Sequence, residues 1–205
     1  MRYGYYLLFS LFAFSANGQH LYVQSWQESI GGWIVSSEGE TVYEIPAGWR
    51  LEEHNAPMAE IESWPVLMRW RKSGESMRYA FLTKDMQWQP ITTYKTVITL
   101  GRNRFKGVLP EGNAAVLLNG MGELIGLDTF RNIGKFDEYA RSIANIVVPP
   151  QKASFGLVDT MGEWIISPSF ARLYNMGQDR YLAYDSLEYQ YLLQPQASLG
   201  KWDTL

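Results

Sequence analysis

Short runs of apolar residues, separated by polar turn-forming residues, follow one another along most of this chain. The clearest case is GLVDTMGEWIISPSF, residues 156–170, in which Asp159 and Gly162 stand at the first and fourth positions of the polar break. Asp at the first position and Gly at the fourth are typical of a tight turn that rejoins a second strand. We therefore predict a β-hairpin, and we expect Pro168 to end its second strand because proline has no N–H for the ladder.

The same unit occurs again along the chain. Residues 116–130, VLLNGMGELIGLDTF, are identical to residues 156–170 at six of fifteen positions, where about one match is expected by chance. Two further copies are predicted at 32–46 and 80–94, and a degraded one at 181–193. Residues 80–94 lack the turn glycine, and residues 181–193 lack it as well.

The repeat positions are predicted to be structural: Gly32, Gly39, Trp88, Gly122, Phe130, Gly156, Asp159, Gly162, Trp164, Pro168 and Phe170. The turn glycines accept a left-handed backbone, and the aromatic residues are expected to fill the space between neighbouring units. The alternative for the repeat tryptophans, with Trp33 among them, is a stacking platform for sugars or peptides.

Repetition of this kind predicts a mainly β fold in which antiparallel hairpins stack to share one core. A single hairpin is marginally stable in water, so the units need each other. The four copies start 48, 36 and 40 residues apart. These uneven spacings favour an open array of hairpins within one domain, residues 19–205, over a small closed propeller of about four blades.

One segment departs from the alternation. In KFDEYARSIANIVV, residues 135–148, the apolar residues Phe136, Tyr139, Ile143 and Val147 stand at helical intervals. Spacing alone permits either a short helix over one end of the sheets or a strand. We expect a helix here.

The first eighteen residues have the layout of a secretory signal peptide. Arg2 precedes an apolar run of about ten residues, and the small residues Ala16 and Gly18 precede Gln19. This run is too short to span a bilayer, which needs about twenty apolar residues. We therefore expect export to the periplasm, the cell surface or the medium, and no transmembrane segment after the signal is removed.

Composition narrows the function classes. The chain has no Cys, 46% hydrophobic and 15% aromatic residues, and a net charge of −3. Stability must then come from a packed core without disulfides, and the acidic balance argues against a nucleic-acid partner. Two basic clusters flank predicted turns and are expected to be solvated: Arg69/Arg71/Lys72/Arg78 and Arg102/Arg104/Lys106.

A catalytic constellation is not apparent in the sequence. His54 follows two glutamates in a polar loop, and Glu60 and Glu62 would share one face of a strand, as paired glycosidase carboxylates can. Solvated carboxylates are the simpler interpretation, and no nucleophile elbow or phosphate-binding loop is present. We predict that the protein is not an enzyme and that it has no cofactor and no metal site.

FGLVDTMGEWIISPSF, residues 155–170, resembles the units of the WG-repeat family. Those units run an aromatic–Gly pair, apolar residues, Asp, two residues, Gly, Lys or Glu, apolar residues, Pro and an aromatic. Here Phe155–Gly156 stands in place of the Trp–Gly pair. The resemblance implies an extended or curved β-repeat array that serves as a binding or scaffolding surface and has no shared active-site residues.

Two other functions remain possible on the sequence. Aromatic residues and paired carboxylates are compatible with a carbohydrate-binding or weakly glycan-active protein. Exposed edge strands are compatible with self-assembly. We expect an exported interaction module whose partner is another protein or a glycan.

Overall fold

The computed structural model describes residues 20–25, 31–52, 58–61, 63–70, 74–112, 114–148, 152–195 and 202–204. These residues form twenty strands and no helix. The strands make five antiparallel sheets of four strands each. The predicted mainly β fold, built from antiparallel hairpins, is confirmed. The predicted signal peptide, residues 1–18, lies outside the described residues.

The strands of the first two sheets alternate along the chain. The first sheet has the order β3-β2-β1-β5 and consists of β1 (Leu21–Ser25), β2 (Gly32–Ser36), β3 (Thr41–Ile45) and β5 (Met58–Glu60). The second sheet consists of β4 (Trp49–Leu51), β6 (Val66–Trp70), β7 (Arg78–Leu82) and β8 (Trp88–Ile91). The chain thus enters the second sheet with β4, returns to complete the first with β5, and then finishes the second.

The remaining sheets are simple four-stranded meanders. The third consists of β9 (Thr96–Gly101), β10 (Arg104–Val108), β11 (Ala115–Leu118) and β12 (Leu124–Phe130). The fourth consists of β13 (Asn132–Ile133), β14 (Arg141–Val148), β15 (Lys152–Asp159) and β16 (Trp164–Phe170). The fifth consists of β17 (Arg172–Gly177), β18 (Arg180–Tyr184), β19 (Gln190–Pro195) and β20 (Trp202–Thr204).

The described core residues form four clusters, each shared by two consecutive sheets. The first cluster joins Ile34 of β2 to Met68 of β6, and the last joins Leu157 of β15 to Tyr181 of β18. The two clusters between them join the second sheet to the third and the third to the fourth. No cluster of described residues joins the fifth sheet to the first, so the stack is an open array.

The inner sheets bury both faces. In β6, Val66 and Met68 pack toward the first sheet, whereas Leu67 between them packs toward the third. In β15, Leu157 and Val158 likewise enter the cores on opposite sides of the fourth sheet. Successive side chains of a strand point to opposite faces. Because both faces of these strands are buried, their sequences contain consecutive apolar residues.

All five predicted hairpin segments are hairpins. In each of the first four sheets, one of the segments 32–46, 80–94, 116–130 and 156–170 contains residues of an edge strand and of its neighbour: β2–β3, β7–β8, β11–β12 and β15–β16. Residues 181–193 contain β18 and β19, which are the second and third strands of the fifth sheet. The last hairpin therefore has the shape of the repeat but a different position in its sheet.

Pro168 does not end its strand, contrary to the expectation from the sequence. Strand β16 runs through it to Phe170, and the ladder with β15 shifts register between the pairs Leu157↔Ile166 and Phe155↔Phe170. Pro168 lies in this irregularity of an edge strand, where its missing N–H costs no ladder bond. Pairing resumes at Phe170.

The expected helix in residues 135–148 is also wrong. Residues 137–140 form a turn between β13 and β14, and β14 is an eight-residue strand, Arg141–Val148. Asp137 accepts hydrogen bonds on Oδ1 from the backbone N–H groups of Tyr139 and Arg141, both at 2.9 Å. Ala140 has a φ of 62°, so the chain reverses where a helix would continue.

Within the described residues, the same turn occurs six times. Its first residues are Ser36, Thr83, Asn119, Asp137, Asp159 and Asp185, and in each turn the backbone N–H of the fourth residue donates to the carbonyl of the first. A side-chain oxygen of the first residue accepts from backbone N–H groups in the turn, as Asp159 does from Met161 at 2.8 Å and from Glu163 at 3.0 Å. The fourth residue has φ between 58° (Met86) and 85° (Gly39) in every copy.

Candidate functional site

A pocket of about 320 Å³ opens where four of the five sheets meet. Its lining comes from β4 and β6 of the second sheet, from β9 and β10 of the third, from β5 of the first and from the segment between β13 and β14 of the fourth. Strands β4, β5, β9 and β13 are edge strands of their sheets. The pocket is therefore a product of the stacking, and no single repeat could form it.

The floor of the pocket is apolar. Leu51, Val66, Leu67, Leu100 and Phe105 line it, and all five are buried members of the clusters between the sheets. These side chains are fixed by the core, so the shape of the floor follows from inter-sheet packing. Such a floor favours an apolar group on whatever enters.

Polar groups line the rest of the pocket. Glu60 accepts a hydrogen bond from His20 Nδ1 at 2.5 Å, and Arg102 donates one to the carbonyl oxygen of Glu138 at 2.5 Å. Ser63, Thr99, Asn103 and Lys135 complete the polar lining. The pocket thus combines an apolar floor with hydroxyl, amide and charged groups, as ligand pockets commonly do.

The basic cluster of Arg102, Arg104 and Lys106 connects two sheets. Arg104 Nε donates to the carbonyl oxygen of Thr160 at 2.6 Å, and Lys106 Nζ donates to Asn132 Oδ1 at 3.0 Å. Arg102 also bonds a residue of the fourth sheet, so all three basic residues of the cluster connect the third sheet to the fourth. Burial lowers the pKa of Lys106. These cations hold neighbouring sheets together, a role that the sequence did not suggest.

Only part of the other basic cluster, Arg69/Arg71/Lys72/Arg78, lies within the described residues. Arg78 bonds Glu75 at 3.2 Å and lies over the ring of Trp70, with Cζ 4.6 Å from the ring centroid. Arg71 and Lys72 lie outside the described residues.

The repeat tryptophans bridge neighbouring sheets. Trp88 Nε1 donates to the hydroxyl of Tyr43 in β3 at 2.7 Å. Trp164 Nε1 donates to Asp128 Oδ2 in β12 at 2.6 Å, and its ring meets that of Phe130 edge-on at 5.6 Å. Each reaches from the edge strand of its own hairpin to the equivalent edge strand of the preceding sheet. Trp33, by contrast, belongs to none of the four clusters as described.

The remaining repeat residues lie in turns or between sheets. Phe170 faces Tyr191 of the fifth sheet, with ring centroids 6.0 Å apart. Gly156 is buried, and a Cβ there would lie 2.4 Å from the backbone oxygen of Ile166 and 2.8 Å from Cζ3 of Trp164, so this close approach of β16 requires a glycine. Gly39, Gly122 and Gly162 hold the fourth position of their turns, and Gly32 is the first residue of β2.

The predicted carboxylate and histidine candidates are only partly described. Glu60 ends β5 and lines the pocket. Glu62 and His54 lie outside the described residues. Within the described ranges, no group of His, Cys, Asp or Glu side chains is arranged to hold a metal ion.

Two features of the molecule were missed by sequence reasoning. The pocket depends on which edge strands meet, and no local pattern encodes that. The exposed side of the fifth sheet, where Tyr174 of β17 pairs with Leu182 of β18, was also missed, because alternation in a strand does not tell which of its faces is covered.

Comparison with protein-family models, with curated proteins and with solved structures returned no match. In the part of the chain described, no helix is long and apolar enough to cross a membrane.

Proposed function

We propose that this protein is an exported, non-catalytic interaction module of the cell envelope or the extracellular space, built from WG-like β repeats. The main observation in support of this proposal is the pocket that residues of four sheets line. Its volume, about 320 Å³, lies at the lower end of the range of about 300 to 1,000 Å³ that is usual for ligand pockets. A short segment or a side chain of a partner protein is the occupant that fits this size.

The mixture of groups supports a binding role. Leu67 and Phe105 offer an apolar surface, and Ser63 and Thr99 offer hydroxyl groups that both donate and accept. A peptide segment presents the matching combination of an apolar side chain and amide groups. The floor is held by the core, so binding requires little reorganisation of the pocket.

Carbohydrate binding is the second candidate. The hydroxyl groups of Ser63 and Thr99 and the amide of Asn103 are suited to sugar hydroxyls, and the ring of Phe136 lines the same pocket. Both candidates use one pocket, so one experiment separates them.

The test is a titration of the purified mature chain, residues 19–205, with a peptide panel and a glycan panel, followed by calorimetry. Ser63→Trp places a large ring at the exposed rim of the pocket and should weaken binding by at least about tenfold, a loss of about 1.4 kcal/mol. Ser169→Trp is the matched control, because Ser169 is exposed on the edge strand β16, away from the pocket. Peptide binding that Ser63→Trp leaves unchanged would contradict the proposal, and binding of glycans alone would favour the second candidate.

Export is tested separately. We expect the protein to be found outside the cytoplasm with Gln19 as its first residue, because Ala16 and Gly18 form the cleavage site. The measurement is cell fractionation with intact mass of the recovered chain. A full-length chain that retains Met1 in the cytoplasm would contradict this part of the proposal.

A further inference from the structure

An exposed methionine sulfur of the fourth sheet lies against an arginine of the third. Met161 is the third residue of the turn that begins at Asp159, and 55% of it is exposed. Arg104 of β10 donates from Nη2 to Met161 Sδ at 3.9 Å. The chain has no Cys, so methionine thioethers are its only sulfur groups, and thioethers are a common target of oxidation. This contact therefore places an oxidisable group next to a cation.

The guanidinium of Arg104 is held in place by two carbonyl oxygens. Nε donates to the carbonyl oxygen of Thr160 at 2.6 Å, and Nη1 donates to that of Asn103 at 3.1 Å. These two bonds direct the remaining nitrogen, Nη2, toward Met161. A thioether sulfur is a weak hydrogen-bond acceptor. The sulfur is thus the weakest of the three acceptors around this guanidinium.

The backbone of Met161 is also fixed. Its N–H donates to Asp159 Oδ1 at 2.8 Å within the turn. A Cβ at Gly126 of β12 would lie 3.3 Å from the carbonyl oxygen of Met161, so the turn packs closely on the third sheet. The turn is therefore held against two strands of that sheet, β10 and β12, and the sulfur stays within reach of Arg104.

We propose that Met161 is a site of reversible oxidation by peroxides, and that its sulfoxide binds the fourth sheet to the third more tightly than its thioether does. In this reaction a sulfur lone pair takes one oxygen of hydrogen peroxide and the O–O bond breaks. The departing hydroxide takes the proton of the transferred oxygen and leaves as water. The sulfur loses two electrons to the peroxide. The proposal does not depend on the pocket or on its occupant.

The physical reason is a change of acceptor. The sulfoxide oxygen is a much stronger acceptor than the sulfur, and a hydrogen bond from a guanidinium to an oxygen is strengthened by the charge. Methionine has three rotatable bonds, so the new oxygen can turn toward Nη2 of Arg104. Because Met161 is exposed, the added polar group disturbs no core packing. Oxidation of Met68, which is 0% exposed in the first core cluster, would disturb it.

Met121 provides a matched control within the same chain. It is the third residue of the equivalent turn in the third sheet, which begins at Asn119, and 66% of it is exposed. Arg104 is directed at the turn of the fourth sheet instead. We therefore expect peroxide to oxidise Met121 as well, with little effect on the stability of the fold.

The test is treatment of the purified mature chain with hydrogen peroxide, followed by peptide mapping by mass spectrometry and by measurement of the melting temperature. Met161 and Met121 should be oxidised before the buried Met68. The peroxide-induced change in melting temperature should be about 2–4 °C more positive in the wild type than in Met161→Leu. Met121→Leu should respond to peroxide as the wild type does. Methionine sulfoxide reductases for both epimers should return the wild type to its original melting temperature.

Two further variants test the part played by Arg104. Arg104→Lys keeps the charge but loses the planar fork that reaches all three acceptors, so in that background Met161→Leu should no longer alter the response to peroxide. Met161→Gln supplies an amide oxygen without oxidation. We expect untreated Met161→Gln to melt above untreated Met161→Leu, and this difference to disappear when Arg104→Lys is added.

Three outcomes would overturn the proposal. The first is an equal response to peroxide in the wild type and in Met161→Leu. The second is a Met161 that stays reduced while Met121 is oxidised. The third is a response of Met161 that persists in Arg104→Lys, since the sulfoxide would then act without the guanidinium.

Discussion

Tyr181 of the fifth sheet donates its phenolic hydrogen to Oδ2 of Asp137, the first residue of the turn that joins the first two strands of the fourth sheet. The same carboxylate accepts from Asn175 Nδ2 at 3.1 Å and, through Oδ1, from the backbone N–H groups of its own turn. One side chain thus shapes a turn and connects two sheets. Burial, followed by the hydrogen bond and the charge of Asp137, raises the pKa of Tyr181 well above its usual range.

Removal of this hydroxyl should destabilise the protein. Tyr181→Phe leaves the ring in the core, where 1% of the residue is exposed, but removes a hydrogen bond to a carboxylate, which contributes about 1.5–3 kcal/mol. We expect the free energy of unfolding to fall by about that amount in urea denaturation at pH 7. Tyr189→Phe, at a residue that is 63% exposed, should change it by less than about 0.5 kcal/mol. Equal effects of the two substitutions would contradict the role of this bond.

The stability of the protein at alkaline pH should depend on Tyr181. Because the pKa of Tyr181 is raised in the folded state, its neutral phenol makes its full contribution to the free energy of unfolding below the unfolded pKa of about 10. It is lost as the pH rises from there through the folded value. We therefore expect the wild type to lose stability above about pH 10 more steeply than Tyr181→Phe. Parallel curves from urea midpoints measured against pH would show that Tyr181 does not couple folding to pH.

The fourth position of the turn requires a left-handed backbone. Gly162 has a φ of 79°, and the nearest atom to a Cβ placed there is Leu117 Cδ2 at 3.5 Å, so space is available and the cost is conformational. We expect Gly162→Val to reduce the free energy of unfolding by about 1–3 kcal/mol. Gly162→Asn should lose less, because asparagine tolerates this conformation. An unchanged melting temperature in Gly162→Val would contradict the assignment of the turn.

The reverse substitution should stabilise the protein where a turn lacks its glycine. Ala140 has a φ of 62°, and a left-handed backbone costs a non-glycine residue about 1–2 kcal/mol. Glycine loses about 0.5–1 kcal/mol more than alanine in chain entropy. We therefore expect Ala140→Gly to gain about 0.5–1 kcal/mol in chemical denaturation. Ala171→Gly, at a residue without positive φ, should destabilise instead, and a loss in both variants would sink this prediction.

Trp164 is expected to contribute to stability through its contacts with the third sheet. Trp164→Phe removes the hydrogen bond to Asp128 and replaces the indole that meets Phe130 edge-on by a smaller ring. The expected loss is about 1–2 kcal/mol in the free energy of unfolding. Trp33→Phe is the matched control, because Trp33 belongs to none of the four core clusters, and its effect should be smaller. A larger loss in the control than in Trp164→Phe would refute the bridging role.

Asp185 should make the protein sensitive to acid. Burial pushes the pKa of Asp185 upward, but hydrogen bonds from the Tyr191 hydroxyl and from the backbone N–H groups of Leu187 and Tyr189 outweigh it and hold the pKa below its ordinary value. A lowered folded pKa gives stability that is present above the unfolded pKa of about 3.9 and is lost as the pH falls through the folded value.

Asp185→Asn tests this dependence. Asparagine keeps the backbone hydrogen bonds of the turn, as Asn119 does natively with Met121 and Glu123. We expect melting temperature to vary less with pH in the variant than in the wild type between about pH 5 and pH 2. Identical slopes in that window would count against the role of the carboxylate.

Local chemistry explains what the sequence predicted well. The turns at Asn119 and Asp159 are specified by a side-chain acceptor at the first position and a glycine at the fourth, all within five residues. The hairpins at 32–46, 80–94, 116–130 and 156–170 follow from those turns and from the apolar residues on either side. Ala140 shows the limit of this reasoning, because its turn has no glycine and the spacing of apolar residues around it favours a helix.

How the hairpins combine depends on the tertiary structure. The local sequence is sufficient to predict a mainly β chain of repeated hairpins, since turn geometry depends on neighbouring residues. It does not predict that β5 returns to the first sheet, that Trp164 reaches Asp128 in the preceding sheet, or that four sheets contribute to the lining of one pocket. Those features depend on packing between residues far apart in the chain, where many arrangements satisfy the same alternation and only burial of both sheet faces selects one.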